Sequence, residues 1–428
     1  MPQRNIILFV NSVFKETIES VRRYSRKTKE KFKIAVVVDS KNQAQQKKLA
    51  GLDVDIIISC DLSRSWKIEQ ALLPYKDELL AFTCRGEAHI NTFAKIIPNV
   101  PYLRTPTAES LFWATDKITM RERMRVYDKK IIPRFTIVSK TNKESIQKIK
   151  SKVGFPLVIK PAGLAASLLV SICFHEEELE ETLRRVFRKI HTLYKENKRS
   201  AEPKVLVEQF MEGEMYSIDV YVSARGKVYF CPMVHVKTGR TIGFDDFFGY
   251  QQMTPTLLKK SSIEEAEGVA QKAVYALALR STTVHIELMK TEEGWKIIEL
   301  GPRVGGFRPR LYQLSYGIDH SLNDVLIRIP KKPIIPKKVN GYSVALKFFA
   351  KDEGRLNELK GIKKIKKLKS FVGIEVNKKL GEQCRYAKHG GRSVCNLFMF
   401  NPSRSDLLAD IRRAEKFLVI KTVKRVAV

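Results

Sequence analysis

The sequence lacks the local signatures of a disulfide framework, a zinc site and a membrane span. Its six cysteines include no CxxC pair, and several lie inside apolar runs that are typical of strands. No apolar run approaches the roughly 20 residues that are needed to cross a bilayer. The apolar start, NIILFV, is short and leads into a charged stretch, which is not typical of a signal peptide. We therefore expect reduced, buried thiols in a soluble cytoplasmic protein with no membrane partner.

Two catalytic signatures are also missing. No Ser-His-Asp or Cys-His constellation stands out, and no GxGxxG follows the first strand, which argues against a dinucleotide site there. Acidic residues are comparatively few, with 46 Asp and Glu against 78 Lys and Arg, and the formal net charge is +32. A field of that sign attracts anionic partners, among them nucleotides, acidic peptides, nucleic acid and anionic lipid.

The chain of 428 residues is long enough for two or three domains. Apolar strands alternate with helix-length segments over the first hundred residues, which predicts an open parallel sheet covered by helices. Three prolines between residues 98 and 107 indicate a domain boundary, and the basic, proline-rich PKKPIIPKK that follows Ile329 indicates another. We therefore predict an α/β fold with domains at 1–107, 108–330 and 331–428.

Two glutamates stand out in the stretch that runs from VHIELM to KIIEL. Side chains alternate between the faces of a strand, so even-numbered positions on both strands are predicted to face the core, while Glu287 and Glu299 share the opposite face. Carboxylates that face each other at about 5 Å between Cβ atoms are destabilising unless a cation lies between them. Mg²⁺ satisfies that need, whereas Zn²⁺ lacks a nearby Cys or His cluster. A solvated face whose acids pair with lysines is the alternative.

The next residues, GPRVGGFRPR, are rich in glycine and arginine. Gly301, Gly305 and Gly306 permit tight turns and close approach of the backbone to a ligand. Arg303 and Arg308 are forked donors that suit carboxylate or phosphate groups. This segment therefore indicates a site that handles a metal, a phosphoryl group and an acid together.

These motifs, in this order, resemble those of the ATP-grasp superfamily, and the layout is most similar to its carboxylate–amine ligases that act on L-amino acids. The resemblance covers the chain to about residue 330 and, more loosely, the C-terminal module. It implies a Rossmann-like N-terminal domain, a two-lobed α+β ATP-grasp domain with lobes at 108–204 and 205–330, and a basic α+β C-terminal module. Such enzymes join a carboxylate to an amine through an acyl phosphate.

The resemblance also implies an ATP site. The lysines of ATDK and PLVIK are expected to reach the phosphates, and the small-residue loop after PLVIK to fold over them. The hinge stretch VLVEQFMEGE is expected to bind adenine and ribose. The implied ATP-binding residues are Lys117, Lys160, Ser167, Glu208, Gln209, Phe210, Met211 and Glu214.

The metal and substrate sites follow from the same resemblance. Glu287 and Glu299 match the metal ligands, which implies Mg²⁺ with Mn²⁺ as the alternative ion, and Arg303 and Lys160 match the catalytic cations. The implied substrate contacts are Arg303, Gly305, Gly306 and Arg308, with His235, Lys237, Arg240 and Gln252 in the segment 235–255. Two departures stand out: Gly301 replaces the usual asparagine, and the phosphate loop has Gly163 but little other glycine.

The expected activity is ATP-dependent ligation of a small carboxylate, such as an amino acid or peptide, to an amine, with release of ADP and phosphate. The alternative is a catalytically reduced ATP-grasp scaffold that binds nucleic acid. Roughly 25 Lys and Arg against 8 acids after residue 330, the stretch GIKKIKKLKS and the tail KTVKRV favour that alternative. Apolar residues at 362, 365 and 368 argue against it, because they indicate the buried side of an ordinary helix. A homodimer also stays open.

Overall fold

The N-terminal sheet is parallel, as predicted. We describe the fold from a computed structural model, which describes residues 4–162, 169–196, 202–329 and 331–423. Strands in the order β3-β2-β1-β4 are flanked by helices whose apolar residues bury both faces of the sheet. The elements are β1 (Ile6–Val10), α1 (Lys15–Thr28), β2 (Lys33–Asp39), α2 (Gln43–Ala50), β3 (Ile56–Cys60), α3 (Ser65–Leu72), β4 (Leu79–Thr83) and α4 (Ile90–Ile96).

Two short helices, and not one continuous helix, occupy residues 108–128. They are α5 (Ala108–Thr115) and α6 (Lys117–Asp128). The break falls at Asp116, whose extended backbone and side chain cap α6 by accepting a 2.7 Å hydrogen bond from the Thr119 amide. Lys117 is therefore the first residue of its helix.

A small antiparallel sheet comes next, in the order β5-β8-β6-β7. Two amphipathic helices pack against it and bury Ile149, Leu179 and Leu183. Its elements are β5 (Phe135–Val138), α7 (Lys143–Lys152), β6 (Leu157–Pro161), β7 (Ser171–Cys173), α8 (Glu176–Glu196) and β8 (Val205–Gln209).

A large, mostly antiparallel sheet of nine strands dominates the rest of the described chain. Eight of them follow the order β14-β13-β9-β11-β12-β15-β19-β17, and β10 pairs with β9. The members are β9 (Glu214–Val222), β10 (Val228–Phe230), β11 (Val234–Thr238), β12 (Gly249–Thr254), β13 (Thr282–Thr291), β14 (Gly294–Gly301), β15 (Tyr342–Phe348), β17 (Phe371–Val376) and β19 (Cys395–Asn401). The sheet therefore continues through the boundary that the sequence predicted near residue 331.

The remaining elements cover or extend these sheets. Leu322, Val325 and Leu326 of the seven-residue helix after Ile318 pack on the N-terminal sheet and join its core. A three-stranded sheet in the order β18-β16-β20 lies in the C-terminal module. The elements are α9 (Lys260–Ala276), α10 (Arg308–Tyr316), α11 (His320–Leu326), β16 (Gly354–Lys360), α12 (Ile362–Ile365), β18 (Gln383–Cys384), α13 (Arg404–Phe417) and β20 (Val419–Val423).

The basic stretch GIKKIKKLKS contributes to the core of the C-terminal module. Its helix, α12, is only four residues long. Ile365 is fully buried, and Leu368 packs against the same cluster. The predicted apolar side is thus confirmed at these two positions. The tail KTVKRV extends past residue 423, so its end lies outside the described residues.

Two expectations from composition can be compared with the structure. All six cysteines are buried and unpaired, as predicted. Within the described ranges, no helix has the length and apolar content that a membrane crossing needs.

Candidate active site

The two predicted glutamates lie directly opposite each other. Strands β13 and β14 pair antiparallel, and the register places Glu287 against Glu299. Val284, Ile286 and Leu288 are fully buried on the other face of β13, which confirms the predicted alternation on that strand.

The alternation fails on β14, where even-numbered positions were predicted to face the core. The pairing shifts at a β-bulge, so that Leu288 lies against Ile297 and not Ile298. Ile297 is fully buried, whereas Ile298 lies beside Glu299 in the wall of a cavity. The extra residue thus turns an apolar side chain from the core to the site.

Each glutamate has a basic neighbour. Lys117 Nζ donates to Glu299 Oε1 at 2.5 Å, and His285 Nε2 lies 3.5 Å from Glu287 Oε1. Burial alone would raise the pKa of Glu287, but His285, Arg308 and Arg303 outweigh that effect and lower the pKa. The electrostatic cost of facing carboxylates is therefore offset on both sides by the protein itself.

The glutamate pair lies where two cavities meet. We name one the hinge cavity, because residues 208–215 line it, and the other the arginine cavity, because Arg303 and Arg308 line it. Their volumes are about 580 and 740 Å³. Glu287 and Glu299 line both. A ligand in one cavity can consequently react with a ligand in the other beside these carboxylates.

The hinge cavity contains all of the predicted ATP-binding residues that the structure describes. The small sheet, the large sheet and the first residue of α6 each supply part of its wall. The predicted residues that line it are Lys117, Lys160, Glu208, Gln209, Phe210, Met211 and Glu214. Residues 163–168, which include Gly163 and Ser167 of the predicted phosphate loop, lie outside the described residues.

Glu208 is the centre of a buried ion cluster at the base of the hinge cavity. Its carboxylate accepts hydrogen bonds from Arg121 Nε and Lys160 Nζ. Arg121 also donates through Nη2 to the Ile298 carbonyl at 2.6 Å. Burial alone would raise the pKa of Glu208, but the two cations dominate and lower it to about 2. The predicted contact of Glu208 with the adenine amino group would therefore involve a carboxylate that already has two strong donors.

Sequence reasoning missed Arg121. Its spacing of four residues from Lys117 was the available signal, because such residues share one face of a helix. The side chain is almost fully buried between the small sheet and β14. Arg121 therefore joins the two sheets at the site.

This cluster predicts a specific loss of stability in acid. The pKa of Glu208 is depressed from an unfolded value of about 4.3 to about 2 in the folded protein. The stabilisation is therefore complete above the unfolded pKa and is lost as pH falls from about 4.5 towards 2. We expect urea unfolding to show that Glu208→Gln is less stable than wild type at pH 7, and that the gap narrows below pH 4.5. An unchanged gap would contradict the assignment, and exposed Glu265→Gln should follow wild type.

The arginine cavity holds two predicted arginines, each with a partner. Arg303 forms an ion pair with Glu87, with Nη2 at 2.7 Å from Oε2. Arg308 is almost fully buried and donates to Gln252 Oε1 at 2.7 Å and Ser217 Oγ at 2.6 Å. Gln252 and Gly306, which were also predicted near a substrate, line this cavity.

Four predicted substrate contacts lie elsewhere. Residues 234–254 form the strands β11 and β12 with a short connection, and not one open loop. His235 and Lys237 of β11, and Arg240 just after this strand, line the hinge cavity. Gly305 lines neither cavity, and its amide donates to Asp219 Oδ2 at 2.7 Å, so that proton is already engaged.

Asp219 organises a buried network behind Glu287. Its carboxylate contacts His285 Nδ1 at 2.6 Å and His320 Nε2 at 2.7 Å. Burial alone would raise the pKa of Asp219, but the two histidines lower it well below its usual range. A Cβ on Gly305 would lie 2.5 Å from His285 Nδ1, so only glycine lets the backbone approach this network. The network fixes the ring that faces Glu287.

The donor set suits a hard cation such as magnesium. The described residues contain no cluster of three or more His, Cys, Asp and Glu side chains that could hold a metal by itself. Mg²⁺ commonly uses one or two carboxylates and completes its shell with phosphate oxygens and water. Glu287 and Glu299 can supply those carboxylates. Gly301 adds no oxygen, although a Cβ there would meet nothing closer than Arg303 Cγ at 3.7 Å.

Comparison with known proteins finds a domain match in the middle of the chain. Residues 153–309 match the family model of the ATP-grasp domain. The chain is 28% identical over 273 residues to alanine–anticapsin ligase of Bacillus subtilis strain 168, which covers 58% of this chain and 56% of that protein. It is also 28% identical over 294 residues to protein y4rH of Sinorhizobium fredii, covering 67% of this chain and 56% of that protein. The chain thus spans about half the length of these curated relatives.

A solved structure matches over the whole length. The L-amino acid ligase from Bacillus licheniformis has a TM-score of 0.75 at 15% identity, with 99% of this chain and 100% of that chain covered. At this identity the match establishes the fold. The predicted α/β architecture is therefore confirmed.

Proposed function

Since this chain carries an ATP-grasp domain, we propose that it is an ATP-dependent carboxylate–amine ligase that releases ADP and phosphate. One observation carries the proposal: Glu287 and Glu299 face each other where the hinge cavity meets the arginine cavity. Such a place suits a phosphoryl transfer from a nucleotide on one side to an acid on the other.

ATP is assigned to the hinge cavity. The backbone at Phe210 and Met211 would bind the adenine edge, and Glu214 would accept hydrogen bonds from ribose hydroxyls. Lys117 and Lys160 now contact Glu299 and Glu208, and they would exchange part of that contact for phosphate oxygens. Exchange of one anion for another keeps both ammonium groups compensated in a partly buried site.

Glu287 and Glu299 would hold Mg²⁺. The ion supplies charge neutralisation for the transferred phosphoryl group and orients its oxygens. The protein contributes two carboxylates on paired strands, and the Asp219 network fixes the His285 ring that contacts Glu287. The sheet therefore fixes the positions of the two carboxylates before any ion or nucleotide binds.

The acid substrate is assigned to the arginine cavity, where Arg303 and Arg308 would orient its carboxylate. One carboxylate oxygen attacks the γ-phosphorus, the bond from phosphorus to the bridging oxygen of ADP breaks, and an acyl phosphate results. The amine then attacks the acyl carbon and phosphate leaves. Arg303 would stabilise the negative charge that develops on the acyl oxygen. The acid is an amino acid, a peptide or another small carboxylate.

The proposal is tested by trapping the acyl phosphate. With MgATP and a pool of amino acids, hydroxylamine should convert the intermediate into a hydroxamate in step with ADP release. Lys160→Met should raise the KM for ATP by roughly 10- to 100-fold, because a hydrogen bond to a charged group is lost. Exposed Lys152→Met, in the last turn of α7, is the matched control. ADP release without hydroxamate would contradict the proposed intermediate.

A measurement of RNA binding, made beside the ADP-release assay, addresses the alternative activity. A nucleic-acid-binding scaffold should bind RNA in a strongly salt-dependent manner and release no ADP with any acid. The outcome that rejects the ligase is therefore absent turnover combined with tight RNA binding.

A further inference from the structure

Lys347 lies in the arginine cavity without an assigned role. It belongs to β15, and its side chain lines the cavity together with that of Asn396, which lies directly opposite it on β19. No other lysine lines this cavity among the described residues. The C-terminal module thus contributes a cation to this cavity. The other charged groups of the cavity come mainly from the hairpin of β13 and β14 and from the segment that follows it.

The ammonium of Lys347 has no ion-pair partner within 4.0 Å in the described part of the chain, and its Nζ lies 5.2 Å from the centroid of the Phe307 ring. Burial lowers the pKa of Lys347, Glu287 opposes that effect, and Arg308 and Arg303 add to it. A half-buried ammonium next to two arginines is costly unless an anion joins it.

The two neighbouring arginines differ in this respect. Arg303 is paired with Glu87, and Arg308 is held by Gln252 and Ser217. Of these three cations, Lys347 is therefore the one that is left free to bind a further anion.

A second cation without an ion-pair partner among the described residues lines the same cavity. Arg392 lines the cavity, is exposed, and forms no ion pair with any described residue. Asn377 and Ser393 lie beside it in the cavity wall, and Asn377 Nδ2 donates to Ser393 Oγ at 3.1 Å. This wall combines positive charge with amide and hydroxyl groups, which are the usual partners of carboxylate and phosphate oxygens.

We propose that Lys347 and Arg392 form an anion subsite that binds a carboxylate or phosphate group of a substrate, separate from the carboxylate that is activated. This assignment rests on the proposed ligase function and narrows its substrates. Neither Lys347 nor Arg392 lines the hinge cavity, whereas the activated carboxylate must lie beside Glu287 and Glu299. The second anionic group is therefore at the end of the substrate that points away from the nucleotide. It belongs to a dicarboxylic acid or to an amine that carries its own carboxylate or phosphate.

Binding of simple acids tests the subsite without turnover. Titration calorimetry would compare succinate, which has two carboxylates, with propionate, which has one, in the presence and absence of MgADP. We expect wild type to bind succinate roughly tenfold or more tightly than propionate, and Lys347→Met to remove that difference while leaving propionate unchanged. Lys347→Arg should retain the preference. Lys363→Met removes an exposed charge from the same module and should behave as wild type.

Ligation assays then identify which substrate carries the anion. Each of the common L-amino acids would be offered as amine donor in its free form and as its amide, with alanine, aspartate or succinate as the acid. A higher KM for amino-acid amides than for free amino acids would show that the amine carries the anion. A preference for aspartate or succinate over alanine would show that the acid carries it. In both cases Lys347→Met should raise KM with little change in kcat.

The outcomes separate the two proposals. Equal binding of succinate and propionate by wild type, together with equal KM values for free amino acids and their amides, overturns the subsite even if ligation occurs. An unchanged preference in Lys347→Met also overturns it. Absence of ADP release with every pair overturns the ligase, while the binding comparison still decides whether the anion subsite exists.

Discussion

Glu299→Gln is expected to lower the rate of ADP release by at least about a hundredfold. Loss of groups that merely orient a metal ligand costs 10- to 100-fold, so loss of a ligand itself should cost at least as much. Glutamine keeps the size of the side chain and its place opposite Glu287, but it removes the negative charge. It also leaves Lys117 without its 2.5 Å contact. Steady-state ADP release at saturating MgATP measures the effect.

The hairpin offers a control for this experiment. Glu292 lies in the turn between β13 and β14 and is exposed, so Glu292→Gln should leave ADP release unchanged. Because Glu299 is itself partly exposed, the urea midpoint of Glu299→Gln should stay close to that of wild type. A variant that folds normally and retains more than a tenth of the wild-type rate would show that Glu299 does not hold the metal.

Asp219→Asn is expected to lower the free energy of unfolding by about 3 to 5 kcal/mol. The carboxylate is fully buried and serves His285, His320 and the Gly305 amide. Removal of one partner from a buried ion pair leaves the other charge uncompensated in a medium of low polarity, which has a cost of that size. Asparagine has nearly the same shape, so the loss reports charge and not a cavity. Urea unfolding at pH 7 measures it.

An exposed aspartate provides the comparison. Asp53 pairs with Arg22 at the surface, with 74% of its side chain exposed, so Asp53→Asn should cost no more than about 1 kcal/mol. In ligation assays at a temperature where Asp219→Asn remains folded, we also expect a higher MgATP requirement, because His285 no longer has a fixed orientation beside Glu287. A loss of stability equal to that of Asp53→Asn would show that the buried network carries no net charge interaction.

The parts of the site that could be predicted from sequence depend on local periodicity. Alternation along β13 placed Glu287 on the face away from the core, and the hairpin made Glu299 its neighbour on the paired strand. The register that starts at the turn would set Glu287 against Ile298, and the β-bulge sets it against Glu299. The lysine that ends the apolar stretch PLVIK could be singled out because a partly desolvated ammonium needs an anion, and Lys160 contacts Glu208. The parallel N-terminal sheet followed from the alternation of strands and helices.

The parts that could not be predicted depend on contacts between distant segments. Lys347 reaches the arginine cavity only because β15 pairs with β12 and β19, and nothing in YSVALKF signals that place. Asp219 lies 66 residues from His285 and 101 from His320, and neither spacing forms a motif. The bulge that turns Ile298 towards the hinge cavity is equally silent, since one extra residue in a strand leaves the apolar composition unchanged.

The continuity of the large sheet has a consequence for the order of events during turnover. Strands β13 and β14, which carry the glutamate pair, and β15, which carries Lys347, belong to one hydrogen-bonded framework. The sheet therefore fixes the glutamate pair and Lys347 relative to one another, whereas the hinge cavity is closed by residues of two separate sheets. Under the proposed function, a displacement of the small sheet would open the hinge cavity to nucleotide and would leave the glutamate pair and Lys347 aligned on the substrate.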